Sequence, residues 1–144
     1  MKAKLAITLA IALFMLMQPA TSAGAQRISS FTGLAKGEGT LTVGDETYKI
    51  TGVWVNLKLD GEAEITLYTN LQLFVKGQWS ASDDRTKGIA LKITGGIVDG
   101  NAAGTGTLFL RSDGKSINEL SFQVRSAGNR RAVVKFVADE KDSQ

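Results

Sequence analysis

The sequence predicts an all-β protein, an antiparallel meander of about seven to nine strands that forms a small barrel or a sandwich. Three observations lead to this fold class. Between Val53 and Trp79, 11 of the 14 odd positions are apolar, whereas the even positions are mostly polar. Turn signals recur about every 8–12 residues, and no long stretch has the period of a helix. Because side chains alternate between the two faces of a strand, this pattern gives a sheet one buried and one solvated face.

The first two strands follow from this alternation and from one break in it. Gly37–Val43 is predicted as the first strand, with Leu41 and Val43 facing inward. Thr47–Leu59 is predicted as the second strand. Its inward positions change from even to odd numbers at Thr51-Gly52, and such a change of phase predicts a β-bulge.

The stretch from Val53 to Trp79 is far longer than one strand, so the chain must turn within it. Leu59-Asp60-Gly61 is predicted as a three-residue hairpin loop, with its glycine in the left-handed conformation and with Lys58 opposite Glu62. A further break is predicted near Thr69-Asn70.

The later strands are short and are separated by polar or glycine-rich loops. They are predicted at Gly88–Thr94 and Thr105–Arg111, and around Leu120–Val124 and Ala132–Phe136.

The first 25 residues have the features of a cleavable signal peptide. Lys2 and Lys4 precede the apolar stretch Leu5–Met17, and Ala23-Gly24-Ala25 matches a small-residue cleavage site. We therefore expect an exported protein, periplasmic or extracellular and bacterial, that does not span the membrane after processing.

The remaining chain is long enough for one domain. Residues 26–36 are expected to be an N-terminal segment, either a short helix or a plug. Residues 37–138 are expected to form a single β domain, followed by a charged tail at residues 139–144. Without the signal peptide, 15 basic residues face 14 acidic residues and no basic cluster stands out, so we expect no nucleic-acid partner.

The chain contains neither histidine nor cysteine. This excludes Ser-His-Asp and Cys-His nucleophilic catalysis and removes the usual ligands of zinc, copper and haem. We therefore expect no catalytic residues, no metal site, no cofactor and no enzymatic activity. Catalysis by carboxylates alone stays open, with Glu62 and Glu64 on one strand face, although their position beside Lys58 indicates an ordinary solvated surface.

Two hypotheses for function remain. The first is binding of an apolar small molecule or lipid in the β-interior, as in eight-stranded carrier barrels. The ligand would contact a candidate interior wall that consists of Leu57, Leu67, Leu73, Leu91, Leu110, Phe122 and Phe136. The alternative is that these inward side chains fill the interior themselves and leave no room for a ligand.

The second hypothesis is an interaction or structural domain that presents outward aromatic side chains to a protein or glycan partner. In the predicted hairpin, Trp54 faces Thr66 across the strands. The alternative is that the N-terminal segment covers this surface. The outward aromatic residues are Trp54, Tyr68 and Phe74, and the covering residues would be Ile28, Phe31 and Leu34.

Overall fold

The computed structural model describes residues 30–81, 87–96, 102–126 and 128–140. The predicted signal peptide, Ile28 and the last four residues of the charged tail lie outside the described residues.

Eight strands follow one another along the described part of the chain. Each pairs antiparallel with the next, and the last pairs with the first, so the sheet is a closed up-and-down barrel. The predicted antiparallel meander is thereby confirmed, and the architecture is a barrel. The strands are β1 (Phe31–Val43), β2 (Glu46–Leu57), β3 (Glu62–Tyr68), β4 (Gln72–Ala81), β5 (Ile89–Gly96), β6 (Ala102–Leu110), β7 (Ile117–Ser126) and β8 (Arg131–Ala138).

The pairings of β1 show how the barrel closes. This strand pairs with β2 along its whole length, but only Gly37–Val43 pair with β8. Such an offset is the stagger that closure requires, because the strands of a barrel tilt relative to its axis. Closure also gives most backbone N–H and C=O groups a partner on both sides of each strand.

The strand β1 begins six residues before the predicted start, at Phe31 rather than Gly37. Phe31, Gly33 and Ala35 pair with inward residues of β2, and the Phe31 ring is buried in the core. The described part of the N-terminal segment is therefore strand and not a short helix or plug. The sequence concealed this, because glycine and alanine at two of three inward positions leave little apolar alternation to detect.

A bulge is present at the predicted level, but its extra residue lies in β1 and not in the second strand as expected. Gly37 and Glu38 of β1 lie opposite the single residue Thr51 of β2, and the register shifts between the two sides of this point. Ile50 and Val53 are consequently both buried although one number is even and the other odd.

The hairpin loop between β2 and β3 is also confirmed. The Lys58 N–H donates to the Glu62 carbonyl at 2.8 Å, and Gly61 has a φ of +93°. This left-handed conformation is the one that glycine adopts without a steric penalty. The Trp79 indole N–H donates to the Lys58 carbonyl at 2.8 Å and so ties β4 to the loop. β2 ends at Leu57 rather than Leu59, whose side chain is 76% exposed in the loop.

The break predicted near Thr69-Asn70 is present between β3 and β4, where the Thr69 N–H donates to the Leu71 carbonyl at 2.9 Å. At the end of β8, the Asp139 N–H donates to the Lys36 carbonyl at 2.9 Å, and the Arg111 side chain donates to the Asp139 carbonyl at 2.8 Å. The start of the charged tail is therefore held against the barrel.

Candidate functional site

The predicted interior wall packs against itself. Leu57 and Leu67 are 0% exposed, and Leu91, Phe122 and Phe136 are each 2% exposed, whereas Leu73 and Leu110 are partly buried against the same core. A pocket that admits a ligand leaves accessible surface on the side chains that line it, and the first five side chains have almost none. The inward side chains of the described strands thus fill the interior, as is usual in small barrels.

Glycine in the interior contributes to this close packing. Gly106 of β6 pairs with Phe122 of β7, and a Cβ on Gly106 would lie only 2.3 Å from the Phe122 Cβ. Glycine at this position lets the two strands approach around the phenylalanine.

The predicted outward aromatic residues lie on adjoining strands of the barrel exterior. Trp54 of β2 pairs with Thr66 of β3, and Thr66 pairs in turn with Phe74 of β4. On the other side, Trp54 pairs with Leu34 of β1. Leu34, Trp54, Thr66 and Phe74 therefore form one transverse row across four strands, which we call the central row.

The central row is apolar and open to solvent at both ends. Leu34 is 62% exposed and Phe74 is 63% exposed, whereas Trp54 is half-buried. Thr66, between the two aromatic residues, is only 6% exposed although it lies on the outer surface. The flanking side chains therefore shield it from water.

Tyr68 completes the cluster in the neighbouring row, where it pairs with Gly52 of β2. A Cβ on Gly52 would lie 3.6 Å from Cδ2 of the Tyr68 ring, so this ring covers the glycine backbone. Next to this last pair of β2 and β3, the Thr51 hydroxyl donates a hydrogen bond to the Tyr68 carbonyl at 3.3 Å. We call Leu34, Trp54, Tyr68 and Phe74 the aromatic face.

The N-terminal residues that were expected to cover the aromatic face do not do so where the structure describes them. Phe31 points into the barrel, whereas Leu34 lies beside Trp54 and is itself exposed, so it enlarges the aromatic face instead of covering it. Ile28 lies outside the described residues. Sequence reasoning missed Leu34 as a member of the face because its neighbour Trp54 is 20 positions away. The inward residues of β1 have odd numbers, so the even number of Leu34 indicates an outward side chain. This signal could be used only if the strand was known to begin at Phe31.

Charged side chains border the aromatic face on the side of the β2–β3 loop. The Lys58 Nζ lies 2.9 Å from Glu64 and 3.5 Å from Glu62. The hydrogen bond from Lys58 holds the pKa of Glu64 below its ordinary value, and the same contact raises the pKa of Lys58. All three groups are exposed enough that solvent screens these interactions.

This arrangement bears on carboxylate chemistry. A general acid needs a carboxyl group whose pKa is raised towards neutral pH, usually by burial or by a second carboxylate. Glu64 has the opposite shift, because Lys58 stabilises its charged form. The pair Glu62 and Glu64 therefore has the properties of a solvated strand surface.

A second surface feature lies where β8, β1 and β2 adjoin. It is an open depression of about 440 Å³, in which Lys49 and Lys135 stand on either side of Thr40. Both lysines are exposed, and Glu38 lines the same depression. The acidic residue offsets part of the positive charge, so the depression offers an anion no enclosed site.

Within the described ranges, no three His, Cys, Asp or Glu side chains come together as metal ligands. No helix in those ranges has the length and apolar character needed to cross a membrane. Comparisons with protein-family models, curated proteins and solved structures find no match for this chain. A functional assignment therefore depends on the surfaces described above.

Proposed function

We propose that this chain is an exported, non-catalytic interaction domain that binds a protein partner through the aromatic face. The observation that carries the proposal is the central row, in which exposed Leu34 and Phe74 lie at the two ends and Trp54 and Thr66 lie between them on consecutively paired strands. Contiguous exposed apolar surface bordered by polar residues is typical of protein contact sites.

The composition of the face favours a protein over a glycan. Its two most exposed side chains are Leu34 and Phe74, and the leucine offers no ring on which a sugar could stack. Trp54 and Tyr68, the rings that combine an apolar body with a polar group, are half-buried. An apolar protein surface requires only complementary shape and burial at such a site.

The hypothesis of a ligand in the β-interior has less support. Its candidate residues Leu57, Leu67, Leu91, Phe122 and Phe136 have almost no accessible surface. Binding there would require the core to open, and each displaced large side chain would lose about 1.5–3 kcal/mol of burial. The aromatic face needs no such rearrangement.

Site-specific photo-crosslinking in the producing organism tests the proposal. A photoreactive residue at position 74 should give a protein adduct on illumination. The matched control is position 137, where Val137 is also exposed but lies on β8, four strands away around the barrel. No adduct at position 74, or the same adducts at both positions, would refute the proposed function. Native mass spectrometry of the same purified protein would reveal an extractable small molecule, which would instead support the interior site.

A further inference from the structure

We propose that Arg125 and Arg131 form a binding site for a phosphate group on the outer surface of the barrel, at the end of the β7–β8 hairpin. The two residues lie directly opposite one another in the ladder of these strands, and both side chains are exposed. They are six positions apart in the sequence, so the pairing of the strands is what brings them together. The site lies on β7 and β8, whereas the aromatic face lies on β1–β4, and it does not depend on the proposed function.

The pair is notable because its two charges have the same sign. Among the described ladder pairs, two join charged residues. Glu64 and Lys76 carry opposite charges, an arrangement that stabilises strand pairing. Arg125 and Arg131 carry the same charge, with Cα atoms about 4.5–5.5 Å apart as in any directly opposed antiparallel pair. Like charges at this spacing oppose strand pairing, and an anion bound between them would remove the repulsion.

The two guanidinium groups are oriented by neutral side chains. Nη2 of Arg131 donates to Oε1 of Gln123 at 2.7 Å, and Nη1 of Arg125 donates to Oδ1 of Asn129 at 3.3 Å. An amide oxygen accepts such a hydrogen bond without neutralising the cation. Both arginines therefore keep their full charge while part of their conformational freedom is already lost, which lowers the entropic cost of binding a ligand.

The hairpin turn positions one of these amides. Asn129 has a φ of +62°, and its N–H donates to the Ser126 carbonyl at 2.9 Å. The Ser126 N–H donates in turn to the Arg130 carbonyl at 2.9 Å. Asparagine tolerates the left-handed conformation better than most other residues with a side chain. The turn thereby holds Asn129 where its side chain reaches Arg125.

No described acidic side chain forms an ion pair with either arginine. The nearest turn is that between β1 and β2, where the Gly44 N–H donates to the Arg131 carbonyl at 3.2 Å. Asp45 and Glu46 follow this glycine, but Glu46 accepts a hydrogen bond from the Tyr48 hydroxyl. The positive charge of the arginine pair is therefore left for a ligand to balance.

The unused donors determine the chemistry of that ligand. A guanidinium group has five N–H donors in one plane, and the contact with an amide occupies one of them in each arginine. A carboxylate has two oxygens and a single charge, which one guanidinium group already satisfies. A phosphate monoester has three terminal oxygens and a charge of about −1.5 to −2 at neutral pH. It can accept hydrogen bonds from both arginines and balance both charges.

Thermal unfolding of the purified protein during a titration with inorganic phosphate tests the site, because a ligand that binds only the folded state raises the melting temperature. Solvent screens an exposed site, so we expect a dissociation constant of roughly 1 mM. About 10 mM phosphate should then raise the ratio of folded to unfolded protein about elevenfold and the melting temperature by roughly 4–6 °C. Sodium chloride keeps the ionic strength constant throughout.

Substitutions of the two arginines separate binding from folding. Arg125→Gln and Arg131→Gln should each abolish most of the shift that phosphate causes. In chloride alone, neither variant should melt below the wild type, since each removes one of two opposed cations. Arg131→Lys keeps the charge but lacks the planar fork, so it should bind phosphate at least about fivefold more weakly. The control Lys76→Gln removes an exposed positive charge from β4 and should retain the full shift.

Two further ligands identify the source of the phosphate group. Glycerol 3-phosphate is a soluble phosphate monoester, and phosphatidylcholine vesicles that contain phosphatidic acid present the same group on a lipid. Vesicles of phosphatidylcholine alone are the control. A shift with glycerol 3-phosphate and no vesicle binding would assign a soluble ligand. Vesicle binding that Arg125→Gln abolishes would assign a lipid headgroup.

Three results would overturn the inference. Phosphate could raise the melting temperature no more than sodium chloride of equal ionic strength, which would indicate an adventitious ion only. Both glutamine variants could retain the phosphate shift, which would place the bound anion elsewhere. The glutamine variants could melt well below the wild type in chloride, which would show that the arginines stabilise the barrel instead of opposing its folding.

Discussion

Replacing Leu67 by alanine measures whether the barrel interior is filled. Leu67 is 0% exposed and pairs with Val53 and Leu73 on the neighbouring strands. The substitution removes three buried carbon groups, which is about 2.4 kcal/mol of transfer free energy at about 0.8 kcal/mol each. A residual cavity of roughly 50 Å³ adds about 1.2 kcal/mol. We therefore expect the free energy of unfolding to fall by about 3–4 kcal/mol.

The measurement is urea unfolding of Leu67→Ala followed by tryptophan fluorescence, with the slope m compared to confirm a two-state transition. The control Leu59→Ala makes the same chemical change at a side chain that is 76% exposed, and it should alter the free energy by less than about 0.5 kcal/mol. If Leu67→Ala lost less than about 1.5 kcal/mol, the side chain would border open space. The filled interior, and the preference for the outer face that follows from it, would then be wrong.

Three further predictions concern the glycine packing, the hairpin loop and the border of the aromatic face. Gly106→Ala should lower the free energy of unfolding by about 1–3 kcal/mol, because the new Cβ would collide with Phe122. Thermal unfolding measures this loss, and an unchanged melting temperature would contradict the close packing. Trp79→Phe keeps the aromatic ring but removes the hydrogen bond to the Lys58 carbonyl, so denaturant unfolding should show a loss of about 1 kcal/mol, and an unchanged midpoint would contradict this role. Carboxyl NMR titration should place the pKa of Glu64 below its ordinary value, and Lys58→Met should move it back up. Because the folded pKa is the lower one, the stability contributed by ionised Glu64 is present above the ordinary pKa and disappears as the pH falls through the folded value.

Much of the fold was predictable because it depends on neighbours in the chain. The alternation around Val53–Trp79 predicted strands. The change of phase at Thr51-Gly52 predicted a bulge where the register of β1 and β2 shifts, although the extra residue lies on β1. The loop at Leu59-Asp60-Gly61 followed from parity and from glycine chemistry, and the structure places Lys58 opposite Glu62 as expected. Each of these inferences needs only a few consecutive residues.

The errors have an equally local cause. The start of β1 was missed because Gly33 and Ala35 carry too little apolar surface to reveal an inward face. Leu59 was placed in the second strand because its odd number continued the apolar pattern, yet a side chain at the tip of a three-residue loop has no sheet to face. Periodicity describes which way a side chain points in a strand, and it fails where the strand ends.

The candidate site shows the same division. The sequence indicated Trp54, Tyr68 and Phe74 as outward residues, because even numbers fall on the solvated face. It did not indicate that Leu34 belongs with them, since that depends on the pairing of β1 with β2. The place of Phe74 in the central row likewise depends on the register of β3 with β4. Register is a property of strand pairs and has no signature in either strand alone.

By itself, the sequence of this protein determined the strand content, the positions of most turns and the absence of histidine and cysteine chemistry. These depend on residue type and on spacing along the chain. Only the tertiary structure decided that the sheet closes between β1 and β8, that Leu57 and Leu67 fill the interior, and that Leu34 and Phe74 end one apolar row. The physical reason is that closure, packing and register depend on contacts between residues far apart in sequence, and the period of two is the same whether a strand pairs with one neighbour or another.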